Sequence, residues 1–213
     1  DVIVVNDTEN AETGLPSVTY SLRGIVALHV VVTSAEQPVH SGMAGGMLAD
    51  AALALNVILS RLYWKNGKIP ISGFYKKVRK LTPKESRTFR NLPGDEKSWR
   101  RNSGVLKGVK FAVKKGMHPN EQTWRLPAVT IIAQEASSIK NASNQVLPKA
   151  EAIVSCRIVP DQDPGKVYKQ LAKALTGDPP WKVQVTVKPA GAVNWWMTDP
   201  NGPAFEAALS ALE

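Results

Sequence analysis

Three histidines and one cysteine are the first candidates for acid–base, nucleophilic or metal chemistry in this 213-residue chain. His29, His40 and His118 lie far apart in sequence, and this spacing does not by itself predict a metal site. Cys156 has no second cysteine with which to form a disulfide, which favours a reducing, cytosolic setting. The chain also lacks the His-Glu-x-x-His, Gly-x-Ser-x-Gly, P-loop and Gly-x-Gly-x-x-Gly motifs. Residue types alone therefore do not predict a self-contained active site.

A glycine-rich loop precedes the first predicted helix. Gly42, Gly45 and Gly46 could expose backbone N–H groups that hold an anion at a helix N-terminus. The simpler interpretation is a tight turn that leads into the helix. Both interpretations are open at this point.

The positive charge of the chain is concentrated in one segment. The formal net charge is +9, and residues 76–115 contain fourteen Lys or Arg against three acidic residues. Such a patch could attract nucleic acid or acidic lipids. The segment has three aromatic residues but no recognisable RNA- or DNA-binding signature, so we prefer a solvated basic surface and expect no nucleic-acid partner. The longest apolar stretch, residues 24–33, is too short to span a bilayer, so no membrane association is expected.

Hydrophobic periodicity predicts an α+β chain. Alternating or β-branched patterns predict strands at residues 23–33, 128–134, 150–159 and 181–188. Helical spacing predicts a helix at residues 48–63 and a second helix that begins at Pro164, with Asp163 as its N-cap, and is closed by Gly177. Residues 64–125 are polar, basic and broken by prolines, which is typical of an insertion outside the core. The order β-α-β-β-α-β predicts a ferredoxin-like domain, with a four-stranded antiparallel sheet and two helices on one face.

Five sequence blocks, taken in order, resemble the M20 family of zinc metallopeptidases, in particular its carnosine-dipeptidase and deacylase group. The blocks are Asp1–Thr8, Gly14–Gly24, Pro38–Gly42, Ile71–Tyr75 and Val154–Pro164. In that family a ferredoxin-like lid domain forms the dimer and is inserted into a zinc-binding catalytic domain. The resemblance therefore implies that residues 23–190 form a lid and dimerisation domain.

The same resemblance implies how the remaining segments are divided. Residues 1–22 and 191–213 would belong to the catalytic domain, and the insertion, residues 64–125, resembles the extra segment of the dipeptidase-like branch. The family's Gly-His-x-Asp motif, its Glu-Glu pair and its late histidine ligand are absent from this sequence. We therefore expect a fragment of a longer enzyme. The parent would bind two zinc ions, whereas this chain alone would be inactive and would not retain them.

The resemblance implies catalytic roles for two residues. Asp7 matches the last carboxylate ligand before the lid, where it would bind one zinc ion; the alternative is an ordinary aspartate in a turn at a strand end. His40 matches the lid histidine that reaches the active site of the partner subunit. There it would donate a hydrogen bond to the oxyanion formed when zinc-bound hydroxide attacks the amide carbonyl. The alternative for His40 is a loop residue that caps a turn.

Two further residues are expected to hold the substrate. Arg157 matches the arginine that forks onto the free carboxylate of the substrate, a bidentate contact that lysine cannot make. The alternative is a salt bridge across the sheet, since an unpaired guanidinium is costly to bury. Asn144 is the candidate for the polar loop residue that helps to hold the same carboxylate, with Gln145 as its neighbouring alternative.

The resemblance thus predicts the lid of a cytoplasmic, homodimeric zinc peptidase that hydrolyses a dipeptide or an N-acyl amino acid. One alternative is a freestanding dimerisation or interaction module without catalysis, in which Arg157 has no use. Another is a basic nucleic-acid binder, for which binding would depend steeply on salt.

Overall fold

The computed structural model describes residues 3, 5, 8 and 10–212, and it shows a mixed α/β fold built on antiparallel sheets. The strands among these residues are β1 (Ser21–Leu22), β2 (Gly24–Thr33), β3 (Val39–His40), β4 (Ala128–Glu135), β5 (Gln145–Val146), β6 (Lys149–Ile158), β7 (Gln184–Val193) and β8 (Trp196–Met197). The helices are α1 (Ser41–Ala44), α2 (Ala51–Ser60), α3 (Pro83–Asn91), α4 (Glu96–Asn102), α5 (Pro119–Arg125), α6 (Pro164–Thr176) and α7 (Pro203–Ser210).

The main sheet has four antiparallel strands in the order β4-β6-β2-β7. The two central strands pair over ten residues, from Gly24 opposite Ile158 to Thr33 opposite Lys149. Residues of β2 alternate strictly between buried and half-buried, because successive side chains of a strand point to opposite faces. The sheet therefore has one covered face and one open face.

Helices α2 and α6 cover the same face of the sheet. Their fully buried leucine and isoleucine side chains join the inward residues of β2 and β6 in one core cluster. The largest fully buried side chains of these four elements are Leu28, Leu55, Ile58, Ile158, Leu171 and Leu175. The predicted combination of a four-stranded antiparallel sheet with two packed helices is confirmed at this level.

Capping side chains set where both core helices begin. Asp50 accepts a 2.8 Å hydrogen bond from the Leu53 amide, so α2 begins at Ala51 rather than at the predicted residue 48. Asp163 accepts a 2.7 Å bond from the Lys166 amide, and α6 begins at Pro164 as predicted.

The last strand of the sheet differs from its prediction at both ends. The predicted strand covered residues 181–188, whereas β7 spans Gln184–Val193. Trp181 and Lys182 have φ values of 51° and 57°, which place them in a turn before the strand. The strand then continues through Pro189, which is compatible with an edge position because an edge strand needs hydrogen bonds on only one side.

The insertion, residues 64–125, was predicted to lie outside the core, and this is only partly correct. It contains α3, α4 and α5, but its first part also contributes the buried side chains of Ile69 and Phe74 to the main core. Its second part has its own aromatic contact, in which Phe89 and Trp124 meet edge to face at 5.0 Å. The insertion is therefore anchored to the sheet at one end and packed on itself at the other.

Candidate functional site

His40 and Asn144 lie together at one end of the molecule. Strands β3 and β5 pair there, with His40 opposite Gln145, and the Ser41 amide donates a 2.8 Å hydrogen bond to the Asn144 carbonyl. Both side chains are exposed. The structure thus brings two of the four candidate residues into one loop cluster, beside the alternative candidate Gln145.

The hydrogen bond made by His40 defines which ring nitrogen carries its proton. Its Nδ1 accepts a 3.1 Å bond from the Gly42 amide and caps the four-residue helix α1. A nitrogen that accepts from a backbone N–H has no proton of its own, so in the neutral ring the proton is on Nε2. This exposed ring can donate to another molecule. The glycine-rich loop forms the tight turn, and its first glycine binds the His40 side chain.

Arg157 lies at the opposite end of the sheet. It is the penultimate residue of β6, and its side chain is exposed. Among the described residues no carboxylate lies within 4.0 Å of its guanidinium, so the cross-sheet salt bridge is not formed there. Eight residue steps separate Arg157 from Lys149 at the His40 end, which corresponds to about 26 Å along the strand. The two groups of candidate residues therefore cannot meet within one chain.

A cleft of about 840 Å³ runs along β4 beside Arg157. The end of α2, the insertion and β4 form its walls, which are mostly apolar, and Arg23 and Arg157 supply its two cationic side chains. No motif or resemblance in the sequence pointed to Arg23. The available signal was its position two residues before Ile25 in the strand pattern, which predicts the same sheet face for both side chains.

Two expectations concern metal and membranes. Asp7, the proposed zinc ligand, lies outside the described residues. Within residues 3, 5, 8 and 10–212, no three His, Cys, Asp or Glu side chains form a group that could hold a metal ion. No helix in this part of the chain is long and apolar enough to cross a bilayer.

The β4 edge of the sheet is apolar and uncovered. Ile131 and Ile132 are 42% and 61% exposed, and a bulge between Ile131 and Ala133 leaves Ile132 out of the pairing with β6. Leu53 and Val57 on the adjacent α2 are also exposed. We refer to Leu53, Val57, Ile131 and Ile132 as the edge patch. The opposite edge carries a proline and a bulge, features that discourage strand pairing.

Part of the basic segment has a structural role. Arg79 forms a two-pronged ion pair with Asp161, with distances of 2.9 and 3.0 Å. Arg90 binds the buried Glu121 through both carboxylate oxygens, at 2.9 and 3.0 Å. Arg100 pairs with Glu96 and also lies over the Phe111 ring. These contacts favour structural use of the segment over nucleic-acid binding.

Several carboxyl groups have pKa values below their ordinary range. Burial acts to raise the pKa of Glu121, but hydrogen bonds from Ser86, the His118 amide and Arg90 outweigh it, so the net pKa is lowered. The Arg79 hydrogen bond lowers the pKa of Asp161. In contrast, burial raises the pKa of Cys156 to about 12, so this thiol stays protonated and unreactive at neutral pH.

Comparison with known proteins identifies the family. The family model of the peptidase dimerisation domain of M20 enzymes matches residues 20–182. The chain belongs to this M20 family. A cysteinylglycine-S-conjugate dipeptidase of Corynebacterium striatum is 32% identical over 206 residues, which cover 97% of this chain and 43% of that protein. The chain thus spans less than half the length of this relative.

Solved structures show the same fold. The dipeptidase Dug1p of Saccharomyces cerevisiae aligns with a TM-score of 0.75 at 24% identity, over 91% of this chain and 40% of that one. Human carnosine dipeptidase 1 aligns equally well, with a TM-score of 0.75 at 24% identity over 92% of this chain and 42% of that one. The fold of this M20 dimerisation domain is therefore shared with two dipeptidases.

Proposed function

We propose that this M20 chain is the lid and dimerisation part of a zinc-dependent peptidase that hydrolyses a dipeptide or an N-acyl amino acid. Residues 23–190 form the lid, with residues 64–125 as its insertion, and residues 1–22 and 191–213 flank it as parts of the catalytic domain. The strand order β4-β6-β2-β7 supports the ferredoxin-like assignment of the lid. The relatives support the substrate class, because the Corynebacterium protein is named as a dipeptidase.

The observation that carries this proposal is the separation of the candidate residues. His40 and Asn144 lie at one end of the sheet and Arg157 lies at the other, about 26 Å away by the strand spacing. A site that uses all three must therefore take them from two chains.

Pairing of two β4 strands across a twofold axis brings these ends together. In an antiparallel pair centred near Ile132, Ala128 of one strand faces the end of the other strand. Ala128 is the cross-strand neighbour of Arg157, and the β4 end leads into the loop that carries Asn144. Arg157 of one subunit then lies near the partner subunit's His40. The edge patch would be buried in this dimer.

Each residue has a definite task in this composite site. Arg157 forks onto the C-terminal carboxylate of the substrate, because its guanidinium presents parallel donors and has no carboxylate partner among the described residues. His40 donates from Nε2 to the oxyanion that develops on the scissile carbonyl. Asn144 adds a further polar contact to the carboxylate. The proposed zinc pair polarises the carbonyl and activates water when bound.

The described residues do not themselves fit a metal centre, so we assign the two zinc ions to the catalytic domain of the parent, with Asp7 as one ligand. No step performed by His40, Asn144 or Arg157 depends on their holding a metal. We therefore expect the chain by itself to be inactive. We place the parent in the cytoplasm because its fold needs no disulfide here: the one cysteine of this chain is reduced and buried.

Complementation between two defective variants tests the composite site. We expect His40→Ala and Arg157→Ala forms of the parent protein to lose most of their activity when each is expressed alone. A co-expressed heterodimer has one intact site and one doubly defective site, so random pairing restores about one quarter of wild-type turnover. The measurement is dipeptide hydrolysis by the co-purified mixture.

Failure of complementation, with heterodimers intact, would show that His40 and Arg157 do not act in one site built from two chains. If instead Arg157→Ala left all activities of the parent unchanged while dimers still formed, the freestanding dimerisation module would be the better description. A mixture of wild-type and doubly substituted His40→Ala/Arg157→Ala chains serves as the control for subunit exchange.

A further inference from the structure

Arg23 and Arg157 form a pair of like charges at one end of the same cleft. Arg157 lies opposite Ile25 in the β2–β6 ladder, and Arg23 lies two residues before Ile25. Diagonal neighbours on one sheet face are about 7–8 Å apart, which is within the reach of long side chains. The two guanidinium groups can therefore contact one small ligand between them.

Neither charge is neutralised within the described part of the chain. The arginines that form salt bridges there are Arg79, Arg90, Arg100 and Arg125, but not Arg23 or Arg157. Burial lowers the pKa of Arg23, and the neighbouring positive charge of Arg157 lowers it further. Holding two cations together in a half-buried place is unfavourable unless an anion joins them.

We propose that Arg23 is a second binding residue for the carboxylate of the substrate, so that two guanidinium groups, rather than one, hold the C-terminal amino acid. The identity of the ligand as an amino-acid carboxylate rests on the proposed function. The exposed Arg157 and the half-buried Arg23 would contact the carboxylate from two sides. Ala128, the cross-strand neighbour of Arg157, lies on the same sheet face and lines the cleft beside the two arginines, where it can contact the side chain of the bound residue.

In this arrangement, the contribution of each arginine to the affinity for the carboxylate depends on the presence of the other. When the carboxylate binds, it relieves the repulsion between the two cations, so part of its affinity comes from the pair. Removal of either cation weakens binding, and removal of the second then has a smaller effect than removal of the first. An Arg23 that took no part in binding, either directly or through Arg157, would not show this non-additivity.

Nuclear magnetic resonance titration of this chain with N-acetylglycine tests the proposal directly. We expect the Nε–Hε signals of both Arg23 and Arg157 to shift along one binding curve, and N-acetylglycinamide, which lacks the carboxylate, to shift neither. Arg23→Gln should weaken binding about five- to tenfold, Arg23→Lys less, and Arg23→Gln/Arg157→Gln less than the product of the single effects. Lys107→Gln, which removes an exposed charge from the insertion, should leave the affinity unchanged.

Three results would overturn the proposal: an Arg23 signal that stays in place, an Arg23→Gln affinity equal to wild type, or binding of inorganic phosphate without binding of N-acetylglycine. Backbone amide spectra show whether each variant is folded. Should Arg23→Gln be misfolded, the Arg23 signal of the wild-type chain and the Arg23→Lys affinity decide the question.

Hydrolysis by the parent protein separates this inference from the proposed function. If both arginines bind the carboxylate but the parent cleaves no dipeptide or N-acyl amino acid, only the proposed function fails. If the parent cleaves such substrates and depends on Arg157, while Arg23→Gln leaves KM unchanged, only the role of Arg23 fails.

Discussion

Gly24 shows how a single residue type positions the arginine pair. A β-carbon at this position would lie 2.4 Å from the Val193 carbonyl oxygen and 2.7 Å from the Trp195 amide nitrogen. Both neighbours are backbone atoms, which cannot move aside as a flexible side chain does. Glycine is required here because the returning segment passes directly over the start of β2, next to Arg23.

Substitution of Gly24 should therefore be costly. We expect Gly24→Ala to lower the free energy of unfolding by about 1–3 kcal/mol, because the added methyl group forces β7 and the following turn away from β2. Urea denaturation followed by circular dichroism measures the change. Gly165→Ala, in the first turn of α6, is the matched control and should have little effect; equal stability of the two variants would contradict the argument.

At the scale of elements, the exposed β4 edge is the feature that is available for pairing with another chain. An uncovered apolar edge strand tends to pair with another chain. Ile132 occupies the bulge at its centre, and the adjacent Leu53 and Val57 extend the apolar surface onto α2. We expect the M20 dimerisation domain to bind its partner chain at this surface.

A charge placed in the edge patch should dissociate the dimer. We expect Ile132→Lys to weaken dimerisation at least about tenfold, because a buried ammonium without a partner is strongly unfavourable in an interface. Sedimentation velocity over a range of concentrations measures the monomer fraction. Leu106→Lys replaces an exposed side chain of the insertion and should leave the dimer intact. A fully dimeric Ile132→Lys chain would place the interface elsewhere.

The insertion is held together by polar contacts rather than by a large apolar core. The buried carboxylate of Glu121 accepts hydrogen bonds from Ser86, Arg90 and the His118 amide. Asn120, also buried, donates to carbonyl groups at the end of α3. Such a network is stable only while its members satisfy one another.

Removal of the central carboxylate should therefore unfold the insertion before the sheet. We expect Glu121→Ala to cost about 1–3 kcal/mol, since it removes the buried carboxylate that accepts hydrogen bonds from Ser86, Arg90 and the His118 amide. Hydrogen exchange should show lost protection in α3 and α5 but not in β2. As a control, Glu96→Ala breaks an exposed pair with Arg100 and should cost less than about 1 kcal/mol. A uniform loss of protection across the chain would argue against a separately held insertion.

Sequence patterns predicted the elements that contact the core, but not the side-chain contacts that hold the insertion together. The β-branched residues of segment 23–33 and the Asp163-Pro164 cap are local signals, so β2 and the start of α6 followed from them. The network around Glu121 depends on residues up to 35 positions apart, which no local pattern contains. The pairing of Arg23 with Arg157 depends on strand register and became visible only in the folded chain.

For the whole molecule, acid should be destabilising. Glu85, Glu121 and Asp161 all have pKa values below their ordinary range. For Glu85 and Glu121, burial opposes this shift but hydrogen bonds and neighbouring arginines outweigh it, whereas for Asp161 the Arg79 bond is the main cause. A carboxyl group with a depressed pKa stabilises the fold above its unfolded pKa, and this contribution is lost as the pH falls through the folded value.

We therefore expect the free energy of unfolding to be nearly constant from pH 7 to about pH 5 and to decline below about pH 4. Denaturant titrations at intervals across this range measure it. Asp161→Asn should reduce stability at pH 7 and flatten the acid limb, because it removes one titrating group while asparagine tolerates the left-handed backbone of residue 161, where φ is 73°. An unchanged acid limb in this variant would exclude a contribution from the Arg79–Asp161 pair.

Strands β1 and β8 lie side by side, with Ser21 opposite Met197. Cα atoms of paired residues are about 5 Å apart, so the polypeptide enters and leaves the domain at neighbouring positions. A unit with adjoining ends can be grafted into a surface loop of another protein without stretching its host. The segment between β1 and β8 could therefore be gained, lost or exchanged in evolution as one unit. The protein that contains it would still fold.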